Sequence, residues 1–266
     1  MTTIDPNAPL LKADGVTIRF GGLTAVSDFN LEIKTNQLLG LIGPNGAGKT
    51  TIFNMLTGVY KPTEGRILVR GVDTTPFKAF EITKLGLART FQNIRLFKDL
   101  PVIDNVKIGG HIHYVYSSLA AVLHTNRFIE AEQKAEHEAM ELLRIFNLEH
   151  RAFDMAKNLP YGDQRRLEIA RALAAKPGVL LLDEPAAGLN TGETMELMQK
   201  IREIREKFGV SILLIEHNME LVMGICERIT VLNYGKTIAN GVPQEIQDDP
   251  VVIEAYLGEP APVHGQ

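Results

Sequence analysis

Residues Gly43–Thr51 read GPNGAGKTT, and the pattern they satisfy, G-x-x-x-x-G-K-[ST], is compatible with few folds. The short apolar run LLGLI precedes it, and the stretch TTIFNMLTGVY that follows reads as a helix stopped at Gly58. A buried strand, a glycine-rich turn and a helix in that order aim consecutive backbone N–H groups and the positive helix end at one point, which cradles phosphate. Gly43, Pro44, Asn45, Gly46, Ala47, Gly48, Lys49, Thr50 and Thr51 are therefore the candidate nucleotide loop. Within it Lys49 reaches the β and γ phosphates and Thr50 offers a hydroxyl to Mg²⁺. The competing reading, a glycine turn that holds no nucleotide, does not explain the strand-turn-helix setting.

A second stretch, VLLLDEP at Val179–Pro185, has the continuous apolar run of a buried strand and ends in paired carboxylates. At a strand end beside the phosphate loop, Asp183 can hold the Mg²⁺ shell and Glu184 can deprotonate a water for attack on a γ phosphate. The strand-like SILLIE follows after the helical ETMELMQKIREIREKFG, an alternation that predicts a parallel sheet covered by helices. VTIRF, FNLEI and KPTEGRILVRG predict strands near the amino terminus, and RITVLNYGKTIANG predicts a hairpin turning near Asn233–Gly235. Between about Phe77 and Asn158 the signal is mostly helical, best in RFIEAEQKAEHEAMELLRIFNL, where Ala135, Ala139, Leu142, Leu143 and Phe146 share one face.

Composition removes several function classes. A formal charge of -4 gives no global attraction to nucleic acid or anionic lipid. The one cysteine, Cys226, forms no internal disulfide and reads as a small buried hydrophobe. MTTIDPNAPL lacks the basic and apolar regions of a secretory signal, and no stretch reaches the roughly 20 apolar residues that span a bilayer. A cytoplasmic protein is expected. His111, His113 and His124 lack nearby Cys or carboxylate companions, so no metal site is expected there. The surrounding Lys107–His124 is expected either to enlarge the helical block near a membrane-facing side or to form its internal core.

Just upstream of VLLLDEP stands LPYGDQRRLEIARAL, which resembles the LSGGQ signature of the ATP-binding-cassette ATPases. The resemblance runs from about Leu10 to Gly258 and brings further elements in order. It implies that Gly162, at the amino end of the signature helix, meets the γ phosphate of ATP bound to a second subunit. It implies that Phe20 stacks on adenine, that Gln92 contacts Mg²⁺ and water, and that His217 hydrogen-bonds the γ phosphate. Two places depart from the pattern: Pro160 and Tyr161 stand where the family has serine and glycine, and AGLN at Ala187–Asn190 stands where it has SALD.

The implied fold is an α/β P-loop NTPase cassette with a RecA-like core, an antiparallel β subdomain and an α-helical subdomain. Its expected boundaries are 8–76 and 155–245 for the β and RecA-like core, 77–154 for the helical subdomain, and 246–266 for a C-terminal helix and tail, all within one domain. FGGLTAV, LIEHNM and the terminal VIEAYLG resemble the ATPase subunits of bacterial branched-chain amino-acid importers. Such subunits use ATP and Mg²⁺ and lie on the inner face of the cell membrane. Their partners are two membrane permeases, a second cassette ATPase as heterodimer or homodimer, and indirectly a periplasmic binding protein. A urea or amide importer, a soluble cassette ATPase and a P-loop kinase are the alternatives; the kinase reading leaves Gln92, the signature turn and His217 unexplained.

Overall fold

The computed structural model describes residues 9–114 and 123–257. Alternation of apolar and polar residues at the amino terminus builds the first sheet: β1 (Leu11–Phe20) pairs antiparallel with β2 (Leu23–Ile33) and with β4 (Glu64–Val69), and β5 (Val72–Asp73) closes the order β2-β1-β4-β5. Its apolar face, including Leu11, Phe29, Ile33 and Ile67, turns inward.

The second sheet holds β3 (Leu38–Ile42), β6 (Leu87–Arg89), β7 (Val179–Asp183), β8 (Ser211–Ile215), β9 (Arg228–Asn233) and β10 (Lys236–Gly241) in the order β10-β9-β3-β8-β7-β6. Every pairing is parallel except the β9–β10 hairpin. All residues of β3, β7 and β8 are buried, so these strands carry no polar alternation. Their side chains still alternate between two cores. Leu39, Leu41, Leu181 and Leu213 join the antiparallel sheet and Ile52, Phe53 and Leu56 of α1 (Lys49–Leu56), whereas Leu38, Leu180, Leu182 and Leu214 join the opposite layer.

Helix α2 (Ala79–Lys84) precedes β6, and the layer on the far side of the sheet comprises α3 (Val102–Gly110), α4 (Asn126–Ile145), α5 (Tyr161–Ala174), α6 (Thr191–Phe208) and α7 (Met219–Ile225). Helices α8 (Pro243–Asp248) and α9 (Pro250–Leu257) follow the hairpin. The expected face of α4 is buried, with Ala135, Ala139, Leu142 and Leu143 in the core and Phe146 at the C-cap fully covered. Cys226 is buried, as its apolar context predicts.

The mostly helical reading from Phe77 needs correction. Leu87–Arg89 is not helical but the edge strand of the parallel sheet, paired with Val179–Leu181. Three residues are too few to show a period, and the preceding Gly86 (φ 101) hides the element as a turn. Leu87–Arg89 thus belongs to the parallel sheet although it lies within the mostly helical stretch. Part of the Lys107–His124 expectation falls on residues 115–122, outside the described residues.

This topology positions a site. β3, β8, β7 and β6 are neighbours running in the same direction, so the segments leaving their carboxyl ends converge on one crevice. Those segments carry GPNGAGKTT, Glu216–His217, Glu184 and Gln92.

Candidate nucleotide-binding site

The phosphate loop is fixed by backbone geometry before any side chain contributes. At Gly43 (φ 151) an added Cβ would fall 2.1 Å from the Leu232 carbonyl oxygen, so no other residue fits beside β9. Gly48 is the left-handed N-cap of α1 (φ 105) and supplies no capping side chain, and the first turn holds no acidic residue. The opening N–H groups of α1 thus remain available to an anion. The β9–β10 turn supports the loop from below, since Gly235 N–H donates to Ala47 O at 2.9 Å and Ser27 N–H donates to Gly235 O at 2.8 Å.

Lys49 folds back over this loop, and its ammonium donates to the carbonyls of Gly43 (2.7 Å) and Pro44 (2.9 Å). Burial lowers its pKa, opposed by the negative charges of Glu184 and Asp183. Thr50 is exposed at the helix start and Thr51 is half-buried.

Asp183 ends β7 with its side chain 1% exposed, ion-paired through Oδ2 to Arg89 Nη2 at 2.6 Å. Its other oxygen, Oδ1, is buried with no hydrogen-bond partner. Burial raises the Asp183 pKa, and the Arg89 hydrogen bond and charge oppose that rise. A buried carboxylate oxygen without a donor is an acceptor waiting for a cation, so Asp183 and the Thr50 hydroxyl fit Mg²⁺, a hard ion that takes oxygen ligands.

Glu184 follows in the left-handed region, at φ 49. Its carboxylate is held from two sides: Gln92 Nε2 donates to Oε2 at 2.9 Å, and His217 Nε2 lies 2.8 Å from Oε1. Residues from the segments that follow β6, β7 and β8 thus meet around one carboxylate. Phe20, at the end of β1, is 46% exposed and packs edge-to-face on Tyr60, with ring centroids 5.3 Å apart.

Gly162 is placed differently. It lies buried in the first turn of α5, where an added Cβ would meet Glu193 Oε1 of α6 at 3.0 Å, and the hydrogen-bonded Glu184 cluster does not include it. Pro160 is the N-cap of α5. Asn190, where the resemblance has aspartate, caps α6: its Oδ1 accepts from Glu193 N–H at 3.0 Å and its own N–H donates to Glu193 Oε2 at 2.9 Å.

Several supporting charges were not singled out in the sequence. Glu216, 3% exposed, accepts N–H bonds from Ala186 (2.7 Å), His217 (3.0 Å) and Asn218 (3.2 Å), tying the turn after Glu184 to the turn that carries His217. Burial raises its pKa against those backbone bonds. Its one sequence signal is an acid closing the apolar run SILLI. Arg89, Arg165 and Glu168 are also buried around the 91–95 segment. At the opposite end of the chain, burial raises the pKa of Tyr256 on α9, opposed by a hydrogen bond with the Gly43 backbone.

Comparison with known proteins identifies the family. The family model described as ABC transporter matches residues 26–187, and the model described as branched-chain amino acid ATP-binding cassette transporter matches residues 236–262. The high-affinity branched-chain amino acid transport ATP-binding protein LivG of Escherichia coli is 50% identical over 252 residues, 94% of this chain and 98% of that protein. Among solved structures, the ADP conformation of MJ1267, an ATP-binding cassette of an ABC transporter, aligns with a TM-score of 0.81 at 29% identity, covering 94% of this chain and 99% of that one. The dimeric post-hydrolysis state of the cassette MJ0796 bound to ADP and Pi aligns with a TM-score of 0.74 at 26% identity, covering 88% and 98%. With a phosphate loop, paired carboxylates and flanking Gln92 and His217 converging at the sheet's carboxyl edge, the chain belongs to the ABC transporter family and is one of its ATP-hydrolysing ATP-binding cassettes.

Proposed function

We propose that this cassette drives uptake of branched-chain, hydrophobic amino acids through separate membrane permeases. The C-terminal match at residues 236–262 supports the substrate class. The observation that carries the catalytic reading is the carboxylate of Glu184, held between Gln92 and His217 next to the unpartnered Asp183 Oδ1.

In this reading the N–H groups of Gly43–Thr51 and the Lys49 ammonium bind the phosphates of ATP, and Phe20 stacks on the base. Thr50, Asp183 and Gln92 would hold Mg²⁺, which when bound neutralises charge on the β and γ phosphates. Glu184 accepts a proton from water as the water oxygen bonds to the γ phosphorus; the bond between that phosphorus and the β–γ bridging oxygen breaks, and ADP leaves with the electron pair. His217 hydrogen-bonds the γ phosphate. Gly162 completes the site in trans, across a head-to-tail dimer with a second cassette, in line with the dimeric MJ0796 structure.

Among the described residues no helix is long and apolar enough to cross a membrane. Attachment to the inner face of the membrane then runs through the permeases, with a periplasmic binding protein reached only indirectly. Exposed Phe97, Leu100, Phe153 and Met155 offer an apolar docking surface, and the strands of chain that carry them are joined by Ala156 N–H donating to Leu100 O at 3.0 Å.

Glu184→Gln tests the reading. It is expected to bind MgATP and dimerise while hydrolysing at least tenfold more slowly, and an unchanged rate refutes the assigned base. Solubilised gently with MgATP, the tagged variant is expected to carry two polytopic permeases and a second cassette ATPase, identified by mass spectrometry. Ribosomal or DNA-bound proteins in their place would overturn the transport reading and leave the ATPase standing.

A further inference from the structure

The segment that carries Gln92 is held almost entirely by one face of α5. Arg165, with its side chain 5% exposed, donates from Nη1 to Phe91 O at 3.0 Å and from Nη2 to Gln92 O at 2.5 Å. One helical turn on, Glu168 accepts the N–H groups of Phe91 and Arg95, each at 3.4 Å. Carbonyls and amides of the segment are thus taken by a cation and an anion three residues apart on the same helix.

Tyr161 extends this holder to another turn. Its hydroxyl accepts from Arg165 Nη2 at 2.9 Å. Its ring covers Gly188, where an added Cβ would lie 3.0 Å from Tyr161 Cε1. Gly188 belongs to the 187–190 turn, which leads from Glu184 to α6. An aromatic at the first position of α5 is therefore matched by a residue without a side chain opposite it.

We infer that Tyr161 and Arg165 are positioning residues for Gln92: the guanidinium fixes the main chain at 91–92, the hydroxyl fixes the guanidinium, and the ring couples both to the 187–190 turn. Gln92 then presents its amide to Glu184 at 2.9 Å only while that holder is intact. The role rests on the proposed use of Glu184 and Gln92 in ATP hydrolysis. It also gives Tyr161 a purpose at a position where the cassette signature has glycine.

Lysine at 165 keeps the charge that faces Glu168 but cannot fork over two carbonyls and a hydroxyl. Phenylalanine at 161 keeps the ring on Gly188 and removes only the hydroxyl. In the full-length chain, Arg165→Lys is expected to lower kcat at least fivefold and Tyr161→Phe about threefold, with KM and the Kd for ATP within twofold of wild type. Hydrogen exchange at the Phe91 and Arg95 amides is expected to speed at least tenfold in Arg165→Lys, with the α5 amides of residues 167–173 at their wild-type rates. Unchanged kcat in both variants, or α5 exchange that speeds as much as the 91–95 segment, overturns the inference. Glu184→Gln measured alongside separates the two claims: if it is inactive while Tyr161→Phe and Arg165→Lys run normally, only the positioning role falls; if it hydrolyses ATP at the wild-type rate, the catalytic reading falls and takes the positioning role with it.

Discussion

Replacing Arg89 with methionine asks how much one buried guanidinium contributes to the folded state. Arg89 and Asp183 are 6% and 1% exposed, and they meet at 2.6 Å. Removing one partner of such a pair costs about 3–5 kcal/mol, because the remaining charge is left buried without compensation. The variant also loses the hydrogen bond from Arg89 Nη1 to Asn54 Oδ1 at 2.7 Å and the stacking over Phe53 and Phe91, about 1–2 kcal/mol together. Two effects oppose the loss. Methionine retains much of the apolar stem, and the Arg89 Nε that lies buried without a partner disappears; together these return about 1–2 kcal/mol. The net expectation is a loss of about 2–6 kcal/mol near pH 8, or about 4–24 °C in Tm for a chain of this length.

The pH dependence of that loss has a definite sign. Burial already raises the pKa of Asp183 against the pull of Arg89, and removing Arg89 raises it further. A carboxyl whose folded pKa lies above its unfolded value contributes stability that is present below the unfolded pKa and is lost as pH rises through the folded one. The variant therefore lies nearer to wild type in acid and falls away from it as the pH climbs. Calorimetric melts of both proteins without nucleotide, at about pH 5 and about pH 8, read the difference directly. A deficit that is equal at the two pH values, or larger in acid, refutes the electrostatic account, and a Tm within about 1 °C of wild type at pH 8 refutes the pair's contribution altogether.

Other consequences can be measured singly. Gly43→Ala drives a Cβ onto the Leu232 carbonyl oxygen, so it should cost about 1–3 kcal/mol and weaken ATP binding, and an unchanged titration would show that the loop tolerates displacement. Lys49→Ala should lower ATP affinity at least tenfold in a calorimetric titration, and normal affinity refutes its contact with phosphate. Asn190→Ala removes the α6 cap and should cost about 1 kcal/mol, whereas Asn190→Asp should melt with wild type.

What could be read from the sequence was local. GPNGAGKTT announces its turn through spacing alone, and VLLLD and SILLI announce buried strands because an apolar run needs no knowledge of its neighbours. Leu87–Arg89 could not be seen, since its strand character comes from pairing with residues 179–181. Arg165, Glu168 and Glu216 were hidden for a related reason. Charged residues are read as surface unless a partner is known, and theirs are main-chain groups up to 74 residues away for Arg165 and 77 for Glu168. Asn190 illustrates the converse: it departs from the family's aspartate, yet locally it makes a capping box that serves α6 as aspartate would. Gly162 matches a motif whose partner the resemblance puts on a second subunit, and within one chain it lies buried against Glu193 of α6, which gives that proposed role no local sign.

Glu184 joins fold to function through its backbone. At φ 49 it occupies a region that costs a residue with a Cβ about 1–2 kcal/mol. The surrounding structure holds it there, with its N–H donating to Ile215 O at 2.8 Å and its carbonyl accepting from Ala187 N–H at 3.1 Å. Glu184→Ala and Glu184→Gly both abolish the contacts to Gln92 and His217 and both lack the proposed base, so their difference isolates the backbone. At an ordinary position in a helix or strand glycine is the less stable of the two by about 0.5–1 kcal/mol. Here the order should invert, glycine melting higher by about 2–4 °C as relief of the Cβ outweighs its greater entropy in the unfolded chain. If alanine melts higher, the turn relaxes when the carboxylate is gone, and the left-handed geometry is imposed by Gln92 and His217 on the side chain; if glycine melts higher, the sheet imposes it and the carboxylate is aimed before any nucleotide arrives.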